Sequence, residues 1–435
     1  MTRRASWTPP LVLPRLSMPY GSLQPGMGSP LPTVGAGDRN ILRRIRGMAS
    51  SRWYIPYICG GLLEMISEAN LAHIMRLVPL VGVLFCLVTC GTEPEPAGVP
   101  VEGLDVRSVT GVETFPQPLS SLVGADLLSD GRLAVADGRE VQVAVIDFED
   151  GEFVPIGRRG AGGPGEYASL QGLSVLPADT ILVVERGRWQ LFTPAGLSVG
   201  VLRPSWIGLV PGSPRADGRS RLCVAGALSS DALGQAREED AIACWDRPSD
   251  RLDTLAYRRL PPQQLIELDR PGSRFAFQQP FGAQDLWTPM QSGGVAIARA
   301  AEGQVHVIPD QDDSSPRSGP RLLIDPVPLD AREAELPPNY PVEWELPSHK
   351  PIFGQGRMFV SAEGTVWVPL SPAFQARTRA YVVYRDDGVP LYSVTVPGDW
   401  RLIGVGRDWG FAYVIDGETG WFTILRFRLT TQRRG

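Results

Sequence analysis

Histidine, lysine and asparagine are almost missing from this chain. Among 435 residues there are three His, and Lys350 is the single lysine, so nearly all positive charge is Arg. After Cys90 only His306 and His349 remain, too few for a three-histidine zinc site. Asn339 is the only asparagine in the same stretch. No apolar run reaches the roughly 18 residues of a membrane-spanning helix. A Ser–His–Asp hydrolase would have only His306 and His349 to serve as base after Cys90. Basic surface is lacking too. Residues 90–435 carry 33 basic and 44 acidic groups, a net of -11, which argues against a nucleic-acid partner.

What is abundant is turn chemistry. The chain holds 48 Gly and 41 Pro, which disfavours a helical bundle and favours many short strands. The apolar fraction of 43% is that of a globular protein.

Residues 1–89 have the opposite charge, nine Arg against three acids. Within them Met75–Gly91 reads MRLVPLVGVLFCLVTCG. Arg76 gives a short positive region, and Leu77–Leu87 is an apolar stretch of export-signal length. The closing Leu87-Val88-Thr89-Cys90-Gly91 resembles the lipobox of bacterial lipoproteins, although Thr89 stands where the family has Gly, Ala or Ser. The resemblance implies a lipid on Cys90, 75–89 as the signal peptide and the Pro-rich 90–104 as a tether. Address follows: the cell envelope, anchored on the periplasmic or extracellular side. A plain export signal and a buried helix are the alternatives. Residues 1–74 read as a spurious or disordered leader, Met75 being the natural start.

From 105 onward one kind of unit recurs: runs rich in Val, Ile, Leu and aromatics, broken by Gly, Asp and Pro turns. The units are 125–153, 173–199, 208–255, 283–309, 352–396 and 400–429. The first two align, with an acid ending one strand in each (Asp137, Glu185) and an Arg-containing turn after it. Each sheet would leave one apolar face bare, so copies must pack on neighbours. The expectation is an all-β fold, a six-bladed β-propeller over 105–430, with 431–435 as a tail. Residues 106–115 form a lone strand placed to complete the last blade. A sandwich or two smaller barrels is the alternative. Asp330 and Glu333 read as a capping box for a short helix to Leu336, stopped by Pro337-Pro338.

The segments Gly157–Tyr167 and 346–368 resemble the inter-blade segments of NHL-like six-bladed propellers. The resemblance covers about 105–430 and implies a bacterial envelope lipoprotein without implying an activity. Propellers resembling lactonases hold a metal with Glu, Asn and Asp, and those resembling amidating lyases use His-rich zinc sites; Asn339, His306 and His349 satisfy neither.

Several local patterns have plain structural readings. Gly160–Gly165 fits G-x-G-x-x-G, but Pro164 and Gly165 stand where the required helix would open. His306 alternates with Val305 and Val307 on a hairpin strand. Asp386-Asp387 and Asp312-Asp313 are turn acids, and Trp189, Trp367 and Trp421 are expected in strands as packing residues. Cys223 and Cys244 lie in two apolar strand runs and could bridge if antiparallel neighbours, or stay as buried thiols.

The binding candidates are Arg158, Arg186, Arg188, Glu185 and His349, because forked guanidinium groups at loop ends can take carboxylates. No catalytic residue, metal or cofactor is assigned. The functional expectation is a non-enzymatic scaffold presenting a loop face to a protein, peptide or glycan. The alternative is a lactonase-like hydrolase or lyase with a pore site of Asp, Glu and Arg.

Overall fold

The computed structural model describes residues 98–160, 163–204, 206, 214–226, 236–267, 274–310, 315–335 and 343–431. Contacts divide the chain into Met1–Pro94 and Glu95–Gly435, and every described residue belongs to the second unit. The leader, the signal segment and Cys90 lie outside the described residues.

Strand β1 spans Asp105–Thr114. Four antiparallel strands follow, β2 Leu122–Leu127, β3 Leu133–Asp137, β4 Gln142–Ile146 and β5 Phe153–Ile156, paired in sequence order as the first sheet. The second sheet is β6 Gly172–Leu176, β7 Thr180–Glu185, β8 Arg188–Phe192 and β9 Ser198–Leu202. The third is β10 Arg215–Ala216, β11 Leu222–Gly226, β12 Glu239–Asp246 and β13 Arg251–Arg259. A separate hairpin, β14 Gln263–Glu267 and β15 Arg274–Gln278, precedes the fourth sheet. That sheet is β16 Leu286–Pro289, β17 Val295–Arg299, β18 Gln304–Ile308 and β19 Arg317–Ser318.

The last strands are β20 Phe359–Val360, β21 Val366–Pro369, β22 Thr378–Tyr384, β23 Pro390–Pro397, β24 Arg401–Val405, β25 Gly410–Ile415 and β26 Phe422–Thr431. They do not form two separate sheets. With β1 they make one eight-stranded sheet, ordered β20-β21-β22-β23-β1-β26-β25-β24. Of the six expected units, four are separate four-stranded sheets among the described residues, and the last two are joined in one. The reason is β1, which pairs antiparallel with β26 and also parallel with β23 over Asp105–Ser108. An early strand therefore completes the end of the chain and fuses two groups of strands.

The arrangement is a β-propeller. Each group's first strand contacts the next group's first strand, from β2 through β6, β10, β16, β20 and β24 and back to β2. Apolar clusters fill the gaps between neighbours. One joins the first and second sheets through Val143, Val145, Leu173 and Phe192. Another joins the eight-stranded sheet to the first sheet through Phe411, Ile424 and Leu133. Between the second and third sheets Trp189, Trp206 and Trp245 pack edge to face at 5.3–6.2 Å. Burying these faces supplies the main driving force, about 25 cal/mol per Å², and their circular order removes the bare face each sheet would otherwise show.

Recurrent acids lock incoming loops. Asp137, ending β3, accepts the Ser120 backbone N–H at 2.6 Å and those of Arg139 and Glu140. Glu185, ending β7, accepts the Ala168 N–H at 3.0 Å. In the fourth sheet the charges are exchanged: Arg299 ends β17 and pairs at 2.5 Å with Asp285, which itself accepts the Arg259 and Ala300 N–H groups. Tyr167 ties the first two sheets, its hydroxyl donating to Ile156 O and accepting Val143 N–H at 3.1 Å.

Two local expectations change. The helix is α1, Ala331–Ala334, capped by Asp330 accepting the Arg332 N–H; Leu336–Pro338 lie outside the described residues. Glu333 does not close a capping box. It pairs at 2.5 Å with Lys350, a buried lysine that also donates to Pro372 O. Trp189 and Trp367 are buried strand residues, but Trp421 sits before β26 and is 44% exposed.

Candidate functional site

The ring of first strands surrounds an axial channel. A cavity of about 1070 Å³ opens at one end, lined by those strands and by the tight turns that follow them. A second cavity of about 320 Å³ lies where the connections enter β16 and β20. Arg215 is the one residue that lines both.

Arg215 opens β10, beside the Asp217-Gly218 turn. Its Nη1 donates to Trp287 O at 2.6 Å and Met358 O at 3.1 Å, and its guanidinium lies over the Trp287 ring at 5.1 Å. Among the described residues it forms no ion pair. Desolvation, then the nearby Arg357 guanidinium, pull it down to about 9, against the raising effect of Asp126. It remains charged at neutral pH. Arg357 donates to Ala125 O at 2.8 Å and stands 3.7 Å from Asp126. Arg258 on β13 pairs with Asp240 at 2.8 Å, while its buried Nε has no partner among the described residues. A cation without a matching carboxylate, with like charges close by, is an electrostatic cost that an incoming anion would relieve.

The two cavities differ in character. Eight carboxylates and five guanidinium groups line the large one. Many of those acids already have partners. Asp130 pairs with Arg132 and Glu149 with Arg426, while Asp179 accepts Ser129 N–H at 2.7 Å. Asp217 accepts the Arg219 and Arg221 N–H groups and pairs with Arg221. The small cavity is lined by Arg215, Arg258, Gln278, Gln284 and Gln355, with no acid among the described residues, over Leu286, Trp287, Phe353 and Met358. Its rim is built from the long connections. Gln279 Nε2, just after β15, donates to Glu345 O at 2.6 Å, and Gln264 Nε2 on β14 reaches Glu343 O at 3.4 Å.

The residues singled out from sequence lie elsewhere. Arg158, mostly exposed, pairs with Glu166 at 2.7 Å. Arg188 pairs with the buried Glu185 at 2.7 Å and donates to Glu166 O. These three groups knit the 157–167 loop to the second sheet. Arg186 is exposed at the turn beside them. His349 is exposed, its Nδ1 2.9 Å from Ser348 Oγ. None of the five lines either cavity. In the glycine-rich segment the chain enters a short parallel ladder, Arg158–Arg159 with Glu166–Tyr167, where a dinucleotide site would need a helix. Ala161 and Gly162 lie outside the described residues, as does Asn339.

Cys223 and Cys244 face each other across β11 and β12 and are joined in a disulfide. Asp217 lies close to both sulfurs, but disulfide sulfurs are not thiolate ligands and Asp217 is held by Arg221. This trio does not suit a metal ion. The channel arginines were missed from sequence. The one signal was a charged residue beside an inner-strand turn, as in Arg215-Ala216-Asp217-Gly218.

No family model and no curated protein matches the sequence. Among solved structures the fold is similar to a member of the DUF4221 family from Bacteroides vulgatus, at 11% identity and TM-score 0.47, covering 75% of this chain and 99% of that one. It is similar to a PQQ-bound aldose sugar dehydrogenase from Streptomyces coelicolor, at 16% identity and TM-score 0.40, covering 74% and 98%. It is also similar to a gluconolactonase from Xanthomonas campestris, at 12% identity and TM-score 0.39, covering 78% and 100%. At these values no activity passes from any of them to this chain.

Proposed function

We propose that this chain is a non-enzymatic binding scaffold of the cell envelope, holding a protein, peptide or glycan ligand at the loop-rich end of its channel. The carrying observation is the small cavity itself: the β14–β15 hairpin and the connection into β20 build a rim around it, hydrogen-bonded to each other. Long connections over a rigid frame are where recognition tends to sit. Its polar lining of Arg and Gln is suited to holding a ligand, since neither side chain exchanges protons near neutral pH.

The reading includes a six-bladed count and NHL-like character. The eight-stranded sheet is then two blades, β20–β23 and β24–β26 with β1, sharing the β1–β23 seam. Lipid anchoring through Cys90 rests on the Met75–Gly91 pattern, and intact-mass analysis of membrane-extracted protein tests it through the acyl groups and the true N-terminus.

The scaffold reading is tested with purified protein on peptide and glycan arrays, alongside a lactone and ester turnover panel. Ligand retention without turnover is expected, and Gln355→Trp, which fills the small cavity, abolishes retention while the melting curve is kept. Turnover that survives Gln355→Trp favours the other reading, a lactonase-like hydrolase or lyase working from the acid-lined large mouth.

A further inference from the structure

We infer that the small cavity accepts a hydroxylated carboxylate, a uronic-acid unit of a glycan, with its carboxylate on Arg215 and Arg258 and its hydroxyls on Gln278, Gln284 and Gln355. The inference rests on the scaffold reading and names its ligand class.

Charge comes first. The body of the chain is acidic, yet among the described residues this cavity is lined by two guanidinium groups and no carboxylate. Arg215 is fixed by the Trp287 and Met358 carbonyls through Nη1, and among the described residues its Nε and Nη2 have no hydrogen-bond partner. Arg258 is held by Asp240 through Nη2, and among the described residues its Nη1 has no hydrogen-bond partner. Guanidinium donors fixed in this way suit a planar carboxylate, and desolvation strengthens such charge-assisted bonds.

The glutamines supply the second half of the argument. An amide side chain both donates and accepts, so it can serve a hydroxyl in either sense. Three amides around two guanidinium groups match a ligand that is anionic at one point and hydroxylated around the rest. A Glu or Asp residue of a peptide offers the anion with one backbone N–H and one C=O, fewer polar groups than the several hydroxyls of a sugar ring. Volume agrees: about 320 Å³ is at the low end of the range for ligand sites, roughly 300–1,000 Å³. That admits one small unit, with the open rim leaving room for a chain to continue outward. Leu286 forms part of the apolar wall for the ring's C–H face.

Titration calorimetry of the purified protein tests this with four probes: glucuronate, glucose, acetate and triglutamate. Glucuronate binds, and glucose and acetate, each lacking one half of the recognised chemistry, bind at least tenfold more weakly. Arg215→Met could fail to fold, so Gln284→Leu is the informative variant, since Gln284 makes no hydrogen bond among the described residues. It weakens glucuronate at least tenfold and leaves acetate unchanged. Equal binding of glucose and glucuronate, or no binding by any probe, overturns the inference. Triglutamate binding more tightly than glucuronate also overturns it while the scaffold reading stands. Glucuronate bound as expected but converted to product refutes the non-enzymatic reading alone.

Discussion

Asp126 on the first inner strand accepts the backbone N–H of Val175 on the second, Oδ2 to N at 3.0 Å. The same carboxylate takes the Leu127 N–H on its other oxygen and faces Arg357. One side chain thus joins neighbouring sheets and partly balances the channel cations. Asp126→Ala is expected to cost about 1.5–3 kcal/mol, the usual range for a hydrogen bond to a charged group. Asp126→Asn keeps an acceptor and costs less. Urea unfolding of both variants checks this, and equal losses would show that the charge, not the acceptor, matters.

The Cys223–Cys244 bridge spans 21 residues of sequence. Closing a loop of that size restricts the unfolded chain by about 3 kcal/mol. The Cys223→Ala/Cys244→Ala double variant is expected to unfold at lower denaturant by that amount, and reductant is expected to shift the parent protein but not the variant. A parent indifferent to reductant would mean that the bridge contributes nothing to stability.

Tyr384 is fully buried, and among the described residues its hydroxyl has no hydrogen-bond partner. Burial alone pushes its ionisation far up. A buried polar group without a partner is destabilising, so Tyr384→Phe is expected to stabilise the fold by about 1 kcal/mol. Thermal unfolding reads the sign directly; a loss of stability would reveal an ordered water on the hydroxyl.

His306 on β18 carries the expected pH dependence. Desolvation, then Arg299, lower its pKa from the ordinary 6.5, opposed by Glu302 and Asp285. The unfolded chain therefore binds more protons than the folded one below about pH 6.5. Stability falls as the pH drops from there through the folded value, and this contribution is constant above. His306→Gln is expected to remove that slope in unfolding measurements between about pH 5 and 7.5. An unchanged slope would assign it to other groups.

Legibility followed distance along the chain. Hairpins were readable because their alternation and turns are local: Gly131 and Gly151 adopt positive φ at the turns where Asp-Gly pairs stand. The facing register of Cys223 and Cys244 needed only two adjacent strands. The acids Asp137 and Glu185 were visible as a recurrence, but their holding of the Ser120 and Ala168 N–H groups was not, because those groups come from loops 17 residues away. Trp421 was misplaced because the Asp416–Gly420 turn extends to it: Asp416 N–H donates to Trp421 O at 2.9 Å. Arg215 was invisible as a site because its partners come from far away, Met358 being 143 residues on. No periodicity records which side chains meet on the axis of a ring. The fusion of the last strands was hidden for the same reason, as it depends on a parallel pairing between β1 and β23.

That seam also dictates an order of assembly. Arg107 is paired with Thr431, 324 positions later. On a ribosome adding about 5–20 residues per second, β1 waits roughly 16–65 s for its partner. For most of that interval a strand destined for the ring's closure has two bare edges, open to any unpaired strand in a neighbouring nascent chain. The vulnerable period of this protein is therefore its synthesis, and slowing translation near the end should raise the yield of tangled product.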